Sequence, residues 1–175
     1  MMRTIPKPQP GEYAPYTTMY IDLLPNDGRI LQHLGDNLES SRQFIATFPT
    51  TALAKPHAPN EWTIKEILVH IIDDERIYAY RALRFARNDS TELPGFEQDD
   101  YIAPSRANER TLDDIFAEFS AVRAATLTLY ENLPEEALIR AGIASGNPMS
   151  VRTIAYHIAG HELHHMNSIR ENYGE

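Results

Sequence analysis

The chain has 175 residues, 42% hydrophobic and 23% charged, with 16 basic and 25 acidic residues, seven histidines and no cysteine. Its length suits one globular domain with a substantial core. A net charge of −9 argues against a nucleic-acid partner, because phosphate recognition rests on clustered Lys and Arg. The lack of cysteine excludes disulfide scaffolds, thiolate zinc sites, iron–sulfur clusters and cysteine nucleophiles, which leaves His, Asp and Glu as metal ligands.

Residues 1–24 begin with a proline-rich stretch and contain no apolar run of the kind that marks a signal peptide. No segment approaches the roughly 20 apolar residues needed to span a bilayer. The reading is a cytoplasmic chain with no membrane partner. The first 24 residues are expected to form an extended arm anchored by Tyr13, Tyr16 and Tyr20, with residues 25–175 forming a single domain.

Four segments then carry helical periodicity. The first is predicted to start after Asn26 or Asp27 and to end before Pro49, with Ile30, Leu31, Leu34, Leu38, Ile45 and Phe48 as its apolar stripe. The second opens on a Thr63–Glu66 capping box, with Trp62 placed to staple onto Ile67, and runs to about Arg87 before Asn88-Asp89-Ser90. The third opens at Thr111 and runs to about Asn132, before an extra turn from Pro134 through Leu138. Gly142 and Gly146-Asn147-Pro148 read as a loop, and Ser150 caps a fourth helix ending near Tyr173. No segment reads as a strand. The class is therefore all-α, a four-helix bundle. Its connections, 49–62, 88–110 and 133–149, exceed the roughly 2–8 residues of simple antiparallel bundles and suit crossing paths.

The chemistry is concentrated in the fourth helix, where His157, His161, His164 and His165 fall within nine residues. Its stripe of Val151, Ile154, Ile158 and Ile169 turns His161 and His165 inward and His157 and His164 toward the rim. Two imidazoles at i, i+4 share a face and can reach one ion, and inward-facing histidines are costly without a partner. Counted from His161 to His164, the string falls one residue short of H-E-x-x-H, which sets the metalloprotease motif aside. The second helix offers His70 at the edge of its stripe, Asp74 one turn on and Glu75 within the stripe. By pattern alone His70 is either a third ligand or a hydrogen-bonding core histidine, and Glu75 either supports the site or satisfies an arginine. In the 88–110 loop, Arg106 and Arg110 are candidates to hold an anionic substrate, while Arg81 and Arg84 read as partners of nearby acids.

The strings W-T-I-K-E-I-L-V-H-I-I-D-D-E (62–75), R-A-L-R-F-A-R (81–87), L-P-G-F-E-Q-D-D-Y (93–101) and A-G-H-E-L-H-H (159–165) resemble the DinB/YfiT-like superfamily of four-helix metalloproteins. The resemblance runs from the first helix onward. It implies that His70, His161 and His165 hold a divalent metal ion, zinc or nickel first, iron or manganese next. It also implies a bundle with crossing connections, often a homodimer. Three neutral imidazoles leave a coordination position open, which favours catalysis over a closed structural site. Asp74 and Glu75 are the candidates to orient the imidazoles or a substrate. The best single expectation is transfer of a low-molecular-weight thiol to an electrophilic small-molecule substrate. A metal-dependent hydrolase and a metal-binding stress protein without turnover are the alternatives.

Overall fold

The computed structural model describes residues 3–174. Four long helices make the bundle: α2 (Ile30–Ile45), α4 (Ile64–Ala86), α6 (Leu112–Glu131) and α7 (Val151–Tyr173). Short helices α1 (Thr18–Ile21), α3 (Thr50–Leu53) and α5 (Gln98–Ser105) lie in the connections, with strands β1 (Ala141–Ala144) and β2 (Asn147–Ser150) before α7.

Local chemistry sets three of the four long-helix starts. Thr63 and Glu66 form the reciprocal capping box, and the Thr111 and Ser150 side chains accept from the backbone N–H groups of Asp114 and Thr153. Trp62 packs in the same apolar cluster as Ile67. Asn88, just past α4, takes the left-handed conformation that ends helices. The first long helix differs from expectation. It starts at Ile30 without a side-chain cap, because Asp27 spends its carboxylate on the Arg29 N–H and on His33.

The expected loop at 141–150 is a β-hairpin instead, pairing Ala141 with Ser150 and Ala144 with Asn147. It is short and glycine- and proline-containing, so no alternating pattern announces it. Neighbouring backbone completes it on both edges, through Leu93 beside Ala144 and Tyr13 beside Met149. Gly142 has a packing reason: a Cβ there would lie 2.1 Å from the Phe85 ring. The 88–110 connection likewise carries α5, where the sequence reads as a loop. The first 24 residues are not wholly extended, since they hold a 3₁₀ turn at Pro15–Thr17 and α1, and Ile5, Ile21 and Leu24 are buried.

The main packing pairs are α4 with α7 and α6, and α2 with α7 and α6. Consecutive long helices α2 and α4 therefore occupy opposite corners, as do α6 and α7, and the connections cross the bundle. The apolar core falls into two clusters. One holds Leu31, Leu34, Phe85, Tyr130 and Ile154, and the other Ile45, Ile64, Ile67, Phe116 and Ile169. Between them the four long helices contribute a layer of buried polar side chains: Ser41, Asp74, Glu75, Arg123, His157, His161 and Glu162. The functional chemistry is in this layer.

Candidate metal centre

Helix α4 sets His70, Asp74, Tyr78 and Arg81 along one face, at spacings of four, four and three residues. Helix α7 sets His157, His161 and His165 along another. The two run antiparallel here, since His70 meets His161 while Asp74 meets His157. His161 Nε2 lies 3.1 Å from His70 Nε2 and 3.0 Å from His165 Nε2. Ligand atoms of the three rings all lie within 4.8 Å of one another.

The donor set fits a metal ion. A tetrahedral ion with bonds of about 2.0–2.1 Å holds its nitrogens about 3.3 Å apart, close to the spacing here. His161 Nδ1 is 3.4 Å from Asp74 Oδ2. A proton on that nitrogen leaves the Nε2 lone pair facing the other two rings, the tautomer a metal ligand requires. Burial holds His161 at about 3 and His165 at about 2, and also lowers His70, so all three rings are neutral at pH 7. Burial works to raise Asp74, but His161 and His157 outweigh it and keep the carboxyl well below the ordinary carboxylate range.

Aromatic rings wall the site. Trp62 packs on His70 with centroids 4.9 Å apart, and Tyr20 from α1 meets His157, His161 and His164 edge-on. Gly160 admits Tyr20, because a Cβ at position 160 would sit 2.2 Å from the Tyr20 carbonyl oxygen. On one side lies a cavity of about 300 Å³, bounded by Tyr20, Asp74, Tyr78, Arg81, His157 and His161. Burial and the Asp74 charge push the Tyr20 and Tyr78 phenols up, so both keep their protons and can donate.

The sequence reading and the structure part at several residues. His157, expected at the rim, is buried, donates from Nε2 to the Asp74 carboxylate at 3.2 Å, and stacks on Tyr78 at 3.8 Å. Its spacing of four from His161 is the signal that was available. His164 is half-buried beside Tyr20. Counted to His165 rather than His164, the segment His161–His165 does satisfy H-E-x-x-H. Its Glu162, however, is turned away from the rings to Arg123 and Ser41 at 2.9 and 2.7 Å, so it cannot serve as the base that motif supplies. Glu75 faces the same arginine and makes no hydrogen bond to a histidine among the described residues. Arg106 pairs with Glu109 and Arg110 with Glu118, away from the cavity.

A four-helix bundle with crossing connections and a largely buried three-histidine cluster that fits a metal site defines the class of protein. The family model for the DinB superfamily matches residues 33–169, and the chain belongs to that superfamily. Among solved structures it is similar to YfiT from Bacillus subtilis, described as a probable metal-dependent hydrolase with an unusual four-helix bundle topology. The TM-score is 0.72 at 11% identity, over 86% of this chain and 90% of that one. No curated protein sequence matches the chain. No helix among the described residues is long and apolar enough to cross a membrane.

Proposed function

We propose that this chain is a divalent-metal-dependent enzyme, that His70, His161 and His165 hold the ion, zinc or nickel, and that the reaction is transfer of a small thiol to an electrophile. The observation that carries the metal reading is the convergence of three neutral imidazoles beside a cavity, with His161 Nε2 3.1 Å from His70 Nε2 and 3.0 Å from His165 Nε2. When bound, a divalent ion with an open position supplies Lewis-acid chemistry, lowering the pKa of a water or thiol that reaches it.

The chain's own residues do the rest. Asp74 accepts from His157, and its charge 3.4 Å from His161 Nδ1 favours a proton on that nitrogen; the aromatic rings wall the site, and Tyr20 and Tyr78 offer hydroxyl donors. Thiol over water is favoured by the state of the neighbouring carboxylates. Asp74 is engaged by two histidines, and Glu75 and Glu162 are committed to Arg123. No free buried carboxylate stands ready to take a proton from water among the described residues. A thiol, with an ordinary pKa of about 8.5, needs less help from a base. In the reaction a carbon–sulfur bond forms as the electrophile's leaving group departs, and the thiol proton passes to solvent. The hydrolase reading draws support from the likeness to YfiT. A homodimer and a cytoplasmic setting belong to the same proposal.

Elemental analysis of reconstituted protein is expected to give one ion per chain, lost in His70→Ala, His161→Ala and His165→Ala but kept in His164→Ala. Thiol consumption with a model electrophile should require metal and thiol together. Metal retention with ester or amide cleavage and no response to any thiol would select the hydrolase. Failure to retain zinc or nickel at neutral pH would remove the metal centre.

A further inference from the structure

Arg81 is buried, only 4% exposed, yet no carboxylate of a described residue lies within ion-pair distance of it. That is unusual, because a desolvated cation without a counter-charge is costly. The other deeply buried guanidinium, Arg123, holds two carboxylates, and the neighbouring Arg84 holds Asp89. Arg81 is fixed instead by neutral groups. Its Nη2 donates to the Pro94 carbonyl at 3.1 Å and the Ser145 hydroxyl at 3.3 Å. Its guanidinium carbon sits 4.7 Å over the Tyr78 ring and 6.0 Å from the Phe96 centroid. Nε and Nη1 donate to no described residue, and neither is among the solvent-inaccessible atoms left without a partner. Arg81 bounds a cavity together with Tyr78, His157 and His161. Glu97 and Asp99 stand exposed at its mouth.

We infer that this cavity takes small substrates bearing a carboxylate-type anion, and that Arg81 is the residue that binds it. The inference rests on reading the cavity as the substrate site of the proposed enzyme. Arg81, His157 and His161 bound the same cavity, so a small substrate anchored on Arg81 reaches toward the histidine rings with its other end. A cavity of about 300 Å³ suits a small organic acid, at the lower end of ligand-pocket volumes. Ordered donors on a pre-stacked guanidinium recognise a carboxylate oxygen better than a flexible ammonium does.

The test is calorimetric titration of full-length, chelator-treated protein with benzoate and with benzamide, its neutral match in shape. Benzoate is expected to bind at least about tenfold tighter than benzamide. Arg81→Gln should lose that preference, Arg81→Lys should keep part of it, and benzamide binding should be the same in all three. Equal affinity of the unaltered protein for the two probes would overturn the inference with no variant needed. Benzoate binding unchanged in a folded Arg81→Gln protein would overturn it as well. Metal stoichiometry, measured on the same proteins, should be unaffected by Arg81→Gln. Benzoate binding that appears only after metal loading and survives in Arg81→Gln would place the carboxylate on the ion, against Arg81. Loss of the metal centre itself would show in stoichiometry while the metal-free titration still reported on Arg81.

Discussion

Two buried polar clusters share the middle layer of this bundle, and they are built on opposite principles. Around Arg123, every charge has its partner. Nε and Nη2 donate to Glu75 at 2.9–3.1 Å, Nη2 reaches Glu162 at 2.9 Å, Nη1 donates to the Leu34 carbonyl, and Ser41 donates to Glu162 at 2.7 Å. This network ties α2, α4, α6 and α7 together, and none of its side chains bounds the cavity beside the histidines. Around His161, three rings converge with their Nε2 atoms on one point and a cavity alongside, and His157 Nδ1 is left without a partner. A closed network holds the helices in register, whereas an open one keeps unspent lone pairs for a ligand. Neighbours in sequence, Asp74 and Glu75 on α4 and His161 and Glu162 on α7, face the two clusters because successive helical residues point about 100° apart.

The largest effect that would break the comparison is on the closed side. Arg123→Met strands two buried carboxylates and is expected to cost about 3–5 kcal/mol, measured by urea unfolding. Replacing Arg123, Glu75 and Glu162 together by Met and Leu should be close to neutral, or stabilising, and should leave metal stoichiometry intact. If the triple variant loses metal while remaining folded, the triad takes part in the site and the division into two clusters fails.

Acidity separates them next. In the folded chain burial lowers His161 to about 3 and His165 to about 2, whereas an unfolded histidine titrates near 6.5. Between those values the unfolded chain binds more protons. The contribution is therefore fully present above about pH 6.5 and lost as pH falls, by up to about 1.4 kcal/mol per pH unit per group. Glu162, raised by burial against the pull of Arg123, has the opposite sign: its contribution is present below the ordinary carboxylate range and lost as pH rises. Melts of chelator-stripped protein from about pH 7.5 to about pH 5 should show stability falling, and His161→Asn and His165→Asn should flatten the slope. Metal release follows the same direction, since ligands must be unprotonated. A slope indifferent to both substitutions would assign it elsewhere.

Asp74 is the hinge between ligand geometry and charge. Asp74→Asn keeps the shape but removes the negative charge beside His161 Nδ1 and one of the two acceptor oxygens, and metal affinity should fall about 10- to 100-fold. His157→Ala leaves the three converging rings in place and should weaken binding by less. Competition with a chelator of known affinity measures both. A larger loss in His157→Ala would make that ring a ligand.

What could be seen in the sequence was what local chemistry writes. The Thr63–Glu66 box, the Thr111 and Ser150 caps and the four apolar periods fix the long helices, and the i, i+4 rule finds His161 and His165. What stayed hidden depends on partners far along the chain. Arg123 lies beside Val122 in an apolar stripe and resembles any surface-seeking arginine until Glu75 and Glu162 arrive from other helices. Arg81 looked committed to neighbouring acids, and Arg106 and Arg110 looked free, because ion pairing is decided by side-chain reach across elements. The aliphatic stripe of α7 points His157 to the rim because it locates an apolar core, while the core of this layer is polar. The hairpin escaped because four-residue strands pair through backbone, with little side-chain pattern to show it.

Gly160 gives the smallest and most local test. In a helix interior, glycine to alanine ordinarily gains about 1 kcal/mol. Here the new methyl would meet the Tyr20 carbonyl at 2.2 Å, and carbonyl carbon at 2.6 Å, both backbone atoms that move only if α1 moves. Overpacking of that kind costs about 1–3 kcal/mol, so Gly160→Ala should be destabilising by about 1 kcal/mol net rather than stabilising. Displacing α1 also draws Tyr20 off His157 and His161, where its ring now sits at 5.0 and 5.4 Å. Chemical-shift changes should therefore reach the His157 and His161 side chains, on the open cluster, and spare Arg123 on the closed one. A gain in stability with those histidine signals unmoved would mean that α1 does not press on α7, and the aromatic wall of the cavity would have to be redrawn without Tyr20.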